Sequence, residues 1–382
     1  MTDILNFPSA RTGPDHAALR QEVRSFLEER LVDRPPADRA TSWSGYDEAF
    51  SRDVGARGWI GMTWPRQYGG AARGALERYV VIEEMLAAGA PVGAHWMADR
   101  QVGPLILNCG TEAQRAELLP AMARGECCVA VGMSEPGAGS DLAAVSTRAH
   151  DVEDGFRLSG AKIWTTHAHH ASYVIVLCRT DAGDRHTGLS QLLVPTDTPG
   201  ITIRPIIDMT GSHHFNEVTF ENVFVPQTAV IGERGRGWAQ VLQELAHERS
   251  GPERFLSSFP TLSLLAKSVA REPSDEAVTA VGRLVSQLVI LRRLSMSVAE
   301  LLARGENPML QAAIVKDLGA AFEQRIPEVA RQLVAMQPSL DAADDLHVAV
   351  AVSLLNAPAF SLRGGTREIL RGVIGRGLLG PA

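Results

Sequence analysis

The chain has 382 residues, of which 45% are hydrophobic, and its formal net charge is −7. This length exceeds one ordinary domain and predicts two or three packed units with full cores. The acidic balance, with no lysine- or arginine-rich run, argues against nucleic acid as a partner. The first nine residues contain no apolar signal core, no run approaches the ~18 residues of a membrane span, and the four cysteines show no C-x-x-C pairing. We therefore expect a soluble cytoplasmic protein.

The first part of the chain is predicted to be mostly helical. Residues 15–31 carry apolar side chains at helical spacing, and Asp15 is placed to cap that helix. Two more helices are predicted over residues 76–88 and 112–124, the latter followed by Gly125.

The pattern changes to short β-rich runs after Cys128. These runs are bounded by Gly, Pro, Asp and Asn, and no helical pattern of 10–15 residues separates them. They cover residues 156–159, 173–177, 191–194, 201–206 and 218–225. A compact antiparallel β domain is therefore more consistent with the sequence than a parallel sheet.

Helical periodicity returns from Gly237 onward. One long apolar stripe runs from Val281 to Leu294, and a second helix is predicted over residues 309–335 with a kink at Pro327. The sequence thus predicts an α+β fold, with helices first, strands in the middle and helices at the end. The predicted domains are residues 1–128, 129–235 and 236–382.

A stretch of small residues, 131–142, connects the first helical part to the strands. Gly137, Ala138 and Gly139 allow a tight turn and close approach to a flat or anionic ligand, and short polar side chains flank them. A surface turn of the same composition is an equally good interpretation. A dinucleotide fingerprint is excluded, because Leu142 stands where the third glycine should be.

Two further positions could do chemistry. Trp164 offers a flat face for a ring and Thr166 a donor and acceptor at its edge, although an isolated tryptophan is more often a core residue. Glu248 follows Val241 by seven residues and Leu245 by three, on the predicted apolar face of a helix that includes Trp238 and Leu242. Desolvation there would raise its pKa towards ~6–7, the range of a general base. An ion pair with a nearby arginine is the alternative.

Other catalytic classes find little support. The histidines at 167, 169, 170, 213 and 214 have no acid or cysteine at ligand spacing, so we expect no metal site. No Gly-x-Ser-x-Gly elbow is present, which argues against a serine hydrolase.

Taken in order, these segments resemble the acyl-CoA dehydrogenase family of flavoproteins. The resemblance runs through residues 58–70, 110–120, 134–141, 162–166, 215–226, 248–249 and 365–369. It implies an N-terminal helical domain, a central antiparallel β domain and a C-terminal four-helix bundle. It also implies FAD as cofactor and an acyl-CoA thioester as substrate. A base would remove the α-proton while the β-hydrogen leaves as hydride to flavin N5, giving a 2-enoyl-CoA.

The resemblance also assigns residues to these ligands. Thr166 would lie near the flavin N5 edge, Ser140 near both FAD and the CoA, and Arg249 at the acyl-CoA. The residues implied to contact FAD are Met133, Ser134, Gly139, Ser140, Trp164, Thr166, Thr366 and Glu368.

The sequence departs from the commonest pattern of the family at the base. Most members carry a glutamate just before a C-terminal Gly-Thr pair, where this chain has Gly364. A smaller group places the base on a helix immediately before an arginine, and Glu248 ahead of Arg249 matches that position. The helical-face argument and the resemblance thus converge on Glu248.

A second departure concerns FAD binding across subunits. Members usually carry Arg-x-x-Phe-Gly and Gln-x-x-Gly-Gly-x-Gly segments that reach a neighbour's FAD, and neither is visible here. Bacterial members that pair unlike subunits as α2β2 share this feature, so we expect either a homo-oligomer or a heteromer with a homologous partner. The resemblance implies an electron-transfer flavoprotein as acceptor.

Two alternatives to a catalytic dehydrogenase stay open. The chain could be a non-catalytic subunit that completes a partner's site, or a flavin oxidase or dehydrogenase acting on a carrier-bound acyl group. The glycines at 364 and 365 leave room near the thioester, which favours a branched, cyclic or steroid side-chain acyl group.

Overall fold

A computed structural model describes residues 5–10, 12–248, 251–334 and 337–379. The chain divides into two compact units. Unit 1 comprises Met1–Phe50, Arg73–Val92 and Ala246–Ala382, and unit 2 comprises Ser51–Ala72 and Gly93–Leu245. The bounds of the three domains expected from the sequence stay predictions. None of the helices in the described ranges is both long and apolar enough to cross a membrane.

The helices follow the predicted plan. They are α1 (Pro14–Arg30), α2 (Glu48–Ala56), α3 (Ala75–Ala88), α4 (Gly93–Met97), α5 (Gly103–Cys109), α6 (Glu112–Ala123), α7 (Gly237–Glu248), α8 (Phe259–Arg271), α9 (Asp275–Ala303), α10 (Met309–Leu333), α11 (Asp345–Phe360) and α12 (Arg367–Leu379). The capping prediction for α1 is wrong, because Gly13 occupies the N-cap and Asp15 lies inside the first turn. An aspartate there still interacts favourably with the helix dipole.

The strands all lie in unit 2 and form one sheet. They are β1 (Val129–Gly132), β2 (Arg148–Val152), β3 (Gly155–Thr166), β4 (Tyr173–Arg179), β5 (Leu189–Pro195), β6 (Ile201–Ile207) and β7 (His213–Pro226). The order is β1-β4-β2-β3-β7-β6, and β5 pairs with β4. Most pairs are antiparallel as predicted, but β1 and β2 run parallel to β4. The parallel pairs join strands far apart in sequence, which no hairpin signal could indicate.

The sheet is held by a core of aliphatic and aromatic side chains. Phe156, Leu158, Val176, Val218 and Phe220 are among its buried residues. On β7 the even-numbered positions are buried and the odd-numbered ones half-exposed from His213 to Phe220. One face of this strand therefore packs on the core while the other can meet a ligand.

In unit 1, helix α10 packs against each of α8, α9 and α11. Buried side chains of α10 include apolar Val315 and Ile326 but also Lys316 and Glu323. These buried charges need partners, and their partners fix the turn between α11 and α12, as described below.

Candidate functional site

The small-residue loop forms a tight turn directly after β1. Glu135 and Ala138 exchange two backbone hydrogen bonds, of 2.9 and 3.0 Å, around Pro136 and Gly137. A Cβ atom added at Gly137 or Gly139 would meet no protein atom within 4 Å. The fold itself therefore does not require glycine at these positions, and the surface of the loop is open to a ligand.

A buried ion pair lies beneath the loop. The Lys162 ammonium is fully buried and donates to Glu135 Oε1 at 2.8 Å and to the Met133 carbonyl at 2.9 Å. Glu135 also accepts from the backbone N–H groups of Ser146 at 2.6 Å and Thr147 at 2.9 Å. These contacts fix the loop from residue 133 to 135 against β3, so its backbone is rigid before any ligand binds.

The environment of Glu135 favours its charged form. Burial alone would raise the pKa of Glu135, but the Lys162 ammonium and the hydrogen bonds from Lys162, Thr147 and Ser146 outweigh it and lower the pKa to about 2. Burial lowers the pKa of Lys162, and the neighbouring Glu135 carboxylate opposes that shift. The burial of Lys162 was not predictable from its neighbours, because alternation along β3 places Lys162 on the face opposite to the apolar Ala161 and Ile163.

Trp164 is not a core residue. Its side chain is 56% exposed, and its backbone has a left-handed φ of +60°. The pairing of β3 with β7 shifts by one residue between Lys162 and Thr165, so Trp164 lies in a β-bulge. A bulky residue in left-handed backbone costs roughly 1–2 kcal/mol, and such strain is concentrated at functional sites. The alternative of a core tryptophan is therefore wrong.

An apolar row lies beside Trp164 on the outer face of the sheet. Thr166 of β3 pairs with Phe215 of β7, and Phe215 pairs with Ile206 of β6. Directly paired residues of antiparallel strands share a face. The Phe215 ring meets the Trp164 ring edge to face, with centroids 5.9 Å apart. Phe215 was missed as a site residue, although an apolar residue at an outward position of the alternation was a readable signal.

The structure brings the loop and this aromatic platform together. The Ile163 N–H donates to the Ser134 carbonyl at 2.9 Å, which joins the loop to the residue before Trp164. Met133 and Ser134 are half-buried, Thr166 likewise, and Gly139 and Ser140 are exposed. An exposed, rigidly held indole beside an open glycine turn fits the flat ring system of a flavin. These residues would hold FAD.

Helix α7 begins on the same loop. Trp238 and Val241 pack in a cluster with Ala138, Met133 and Leu142. Along α7, Gln240, Val241 and Glu244 are buried, whereas Leu242 is 39% exposed. The predicted position of Leu242 on the buried face is therefore wrong. Position 248 follows Val241 by seven residues and Glu244 by four along the chain. The side chain of Glu248 and the whole of Arg249 lie outside the described part of the structure.

Glu244 forms a second buried polar cluster one turn before Glu248. Its carboxylate accepts from Gln101 Nε2 at 2.8 Å and from Gln191 Nε2 at 2.7 Å. Gln101 belongs to a π-helical turn, Ala98–Val102, a feature often found near functional sites. These two hydrogen bonds hold the Glu244 carboxylate in place and so anchor α7 to Gln101 and Gln191.

The remaining predicted residues lie in unit 1. Thr366 immediately precedes α12 and accepts the Leu370 N–H through its carbonyl at 3.0 Å, while Glu368 is exposed in the first turn. Gly364 and Gly365 have φ of +67° and +97°. A glutamate at 364 would be strained in this left-handed conformation, so the turn is built for glycine rather than for a base.

Histidine rings cluster where β3 ends and β7 begins. His169 stacks on His213 with centroids 3.8 Å apart and lies 4.0 Å from His170. Burial, with His170 and His213 nearby, lowers the pKa of His169 to about 4. Among the residues that the structure describes, no group of three or more His, Cys, Asp or Glu side chains is arranged to hold a metal ion.

Comparison with known families matches two consecutive parts of the chain to two domains of one family. Residues 13–126 match the acyl-CoA dehydrogenase N-terminal domain, and residues 130–223 match the acyl-CoA dehydrogenase middle domain. Acyl-CoA dehydrogenase FadE29 of Mycobacterium tuberculosis is 31% identical over 376 residues, which cover 94% of this chain and 95% of FadE29. Acyl-CoA dehydrogenase FadE34 of the same organism is 33% identical over 85% of this chain, which spans only 45% of the length of FadE34.

Solved structures give the same similarity. The Tcur3481-Tcur3483 steroid ACAD superposes with a TM-score of 0.87 at 27% identity, covering 97% of this chain and 99% of that chain. The ChsE4-ChsE5 complex from Mycobacterium tuberculosis superposes with a TM-score of 0.86 at 26% identity, covering 98% of this chain and 100% of that chain. The predicted α+β fold is thereby confirmed.

Proposed function

The chain belongs to the acyl-CoA dehydrogenase family of FAD-dependent oxidoreductases, and on that premise we propose that it catalyses α,β-dehydrogenation of an acyl-CoA with Glu248 as the base. The observation that carries the proposal is the strained, exposed Trp164 beside the open glycine turn. A scaffolding subunit has no need of an aromatic platform held in left-handed backbone.

FAD supplies an acceptor for the hydride that leaves the β-carbon. The chain's own residues do the rest. Trp164 provides a flat apolar face that the Phe215 ring supports edge to face, and the loop that Lys162 and Glu135 hold rigid presents Ser134, Gly139 and Ser140 to the cofactor. Thr366 and Glu368 are also proposed to contact FAD, from the turn before α12 and its first residues.

Glu248 takes the α-proton onto its carboxylate. Its position in line with buried Val241 and Glu244 favours a desolvated side chain, and desolvation raises the pKa of a carboxyl towards the working range of a base. Ser140 and Arg249 are proposed to orient the acyl-CoA. The left-handed Gly364 supports this assignment, because the turn that carries the base in other members is shaped for glycine here.

We also propose that a homologous subunit completes the FAD site, with an electron-transfer flavoprotein as acceptor. The ChsE4-ChsE5 complex and the paired name Tcur3481-Tcur3483 support a heteromer. The name of the second neighbour, a steroid ACAD, supports a steroid-type substrate. The bare Gly364-Gly365 turn agrees with a branched, cyclic or steroid side-chain acyl group. Butyryl-CoA, isovaleryl-CoA and a steroid side-chain acyl-CoA are suitable probes.

The test compares Glu248→Gln with Glu244→Gln in the FAD-loaded enzyme. We expect Glu248→Gln to slow anaerobic flavin bleaching by about 10²–10⁴-fold, the usual contribution of a general base. Glu244→Gln makes the same chemical change one turn earlier. It should lower the free energy of unfolding by about 1–3 kcal/mol, because a buried hydrogen bond is compromised, and leave bleaching fast. Bleaching at the wild-type rate in Glu248→Gln would show that the chain is not the catalytic subunit.

A further inference from the structure

A second buried ion pair lies in unit 1, at the turn between α11 and α12. The Arg363 guanidinium donates to Glu323 Oε2 of α10 at 2.9 Å, and Glu323 is fully buried. The same guanidinium lies between two aromatic rings, 4.6 Å from the centroid of Trp43 and 4.7 Å from that of Phe360. Burial lowers the pKa of Arg363 and the Glu323 carboxylate opposes the shift.

Arg363 also reaches the segment that follows Glu248. Its Nη2 donates to Ser257 Oγ at 2.7 Å and to the Glu253 carbonyl at 3.3 Å. Glu323 closes the link from the other side, because its Oε1 accepts the Ser257 N–H at 2.8 Å. The segment itself is a short 3-10 helix, Pro252–Arg254, which begins four residues after Glu248.

Helix α10 is shaped to receive this segment and the turn. A Cβ atom at Gly319 would lie 2.2 Å from the Arg254 carbonyl oxygen, so glycine is required for the backbone to approach α10. On the turn side, Lys316 Nζ donates to the Phe360 carbonyl at 2.6 Å and Arg367 Nε donates to Asp317 Oδ1 at 2.7 Å. Both ends of the turn are thus anchored on one helix.

Such a pair is not explained by stability alone. Replacing a buried ion pair by apolar residues of similar volume is often neutral or stabilising, and in some proteins such a pair instead fixes one geometry. The contacts join Glu253 and Ser257, which follow α7 in sequence, to the turn that contains Gly364, and the resemblance to the family places a base next to each of these two segments.

We propose that Arg363 is a positioning residue, which holds the segment after Glu248 against the Gly364–Thr366 turn and so sets where the base stands relative to the bound thioester. The inference rests on the proposed role of Glu248. Arg363 itself touches neither substrate nor cofactor in this account; it acts through the backbone of the two segments it joins.

The experiment measures flavin reduction by stopped flow in the FAD-loaded enzyme, with whichever of the three acyl-CoA probes bleaches the wild type fastest. Arg363→Lys keeps the charge but loses the planar guanidinium, whose Nη2 makes all three contacts and which lies against Trp43 and Phe360, and the lysine ammonium sits on a shorter side chain. We expect the reduction rate at saturating acyl-CoA to fall by roughly 10–100-fold, because small misplacements of a catalytic group have effects of this size. FAD content and the acyl-CoA concentration at half-saturation should stay within about twofold.

Two further variants separate positioning from loss of stability. Arg292→Lys is the matched control, since Arg292 makes a forked pair with buried Glu83, through Nε at 2.5 Å and Nη2 at 3.0 Å, and its replacement makes the same chemical change in a second ion pair. It should lower the melting temperature and leave the reduction rate unchanged. Ser257→Ala removes one link and keeps the ion pair, so it should give a smaller decrease in rate than Arg363→Lys.

The outcomes distinguish this inference from the proposed function. If Glu248→Gln is inactive while Arg363→Lys and Ser257→Ala both reduce flavin at the wild-type rate, the positioning role is overturned and the base assignment stands. If Glu248→Gln reduces flavin normally, the proposed function itself has failed. Equal losses of rate in Arg292→Lys and Arg363→Lys would assign the effect to stability and would also overturn the inference.

Discussion

Trp164 is the residue whose environment says most about the site. It is exposed and strained, and Phe215 is its aromatic neighbour. Trp164→Leu should weaken FAD binding by about tenfold, the equivalent of about 1.4 kcal/mol of lost ring contact. The melting temperature of the FAD-free protein should change little, because little core packing is lost. In the complex with the homologous partner, fluorescence titration with FAD measures the first quantity and thermal unfolding the second.

Phe224→Leu is the control for that experiment. Phe224 lies on the same sheet and is 40% exposed, but it contacts Arg157 rather than the Trp164 platform. Its replacement should leave FAD affinity unchanged. Equal FAD affinity in Trp164→Leu and wild type would remove the platform from the account.

The low pKa of Glu135 predicts how the free energy of unfolding depends on pH. Its folded-state pKa of about 2 lies below its ordinary value of 4.5. Its charge therefore stabilises the fold above pH ~4.5, and this contribution is lost as the pH falls towards ~2. At pH 7, Glu135→Gln leaves the Lys162 ammonium buried without its counter-charge and should cost about 3–5 kcal/mol.

The measurement is urea unfolding of wild type and Glu135→Gln across this pH range. The difference in free energy of unfolding should shrink as the pH falls below ~4.5. Glu126→Gln removes a carboxylate from an exposed pair with Arg124 and should cost at most about 1 kcal/mol at any pH. A difference for Glu135→Gln that stays constant down to pH 3 would contradict the pairing with Lys162.

At the scale of elements, one substitution in the small-residue loop should separate an effect on the free energy of unfolding from an effect on FAD affinity. Gly139 has no neighbouring atom within 4 Å of an added Cβ. Gly139→Ala should therefore change the free energy of unfolding by no more than about 0.5 kcal/mol. If FAD approaches the loop backbone there, its affinity should fall by about tenfold or more, since a methyl group would occupy the approach. Unchanged affinity would place the cofactor away from Gly139.

The order and type of the elements could be predicted from the sequence because periodicity and punctuation are local. Helices α3 and α6 begin and end within a residue or so of expectation, and Gly89 and Gly125 follow them with left-handed φ. Long-range pairing was not readable in the same way. The parallel contact of β1 with β4 and the ion pair of Lys162 with Glu135 join positions that no local pattern connects.

The site shows the same division. Small residues and Glu248 could be proposed from the sequence because their types and spacing carry chemistry. The exposure of Trp164 was not predictable from composition, since it depends on a one-residue bulge between β3 and β7. Leu242 was misplaced because an apolar stripe on a helix does not reveal that the buried face of α7 also carries Gln240 and Glu244.

At the scale of the whole molecule, the central claim is that this chain forms an FAD-dependent dehydrogenase together with a homologous partner. Missing cross-subunit segments in the sequence predict that the chain alone binds less than one FAD per chain. Co-expression with such a partner should restore the flavin. These expectations concern the assembled enzyme rather than any one residue.

The most direct measurement is the visible absorption spectrum of the co-purified complex, before and after anaerobic addition of the three acyl-CoA probes. We expect a yellow complex whose flavin band bleaches with at least one probe, and a chain that is pale when purified alone. A complex without flavin, or with flavin that none of the probes reduces, would contradict the proposed dehydrogenase. A full complement of one FAD per chain in the protein purified alone would contradict the need for a partner.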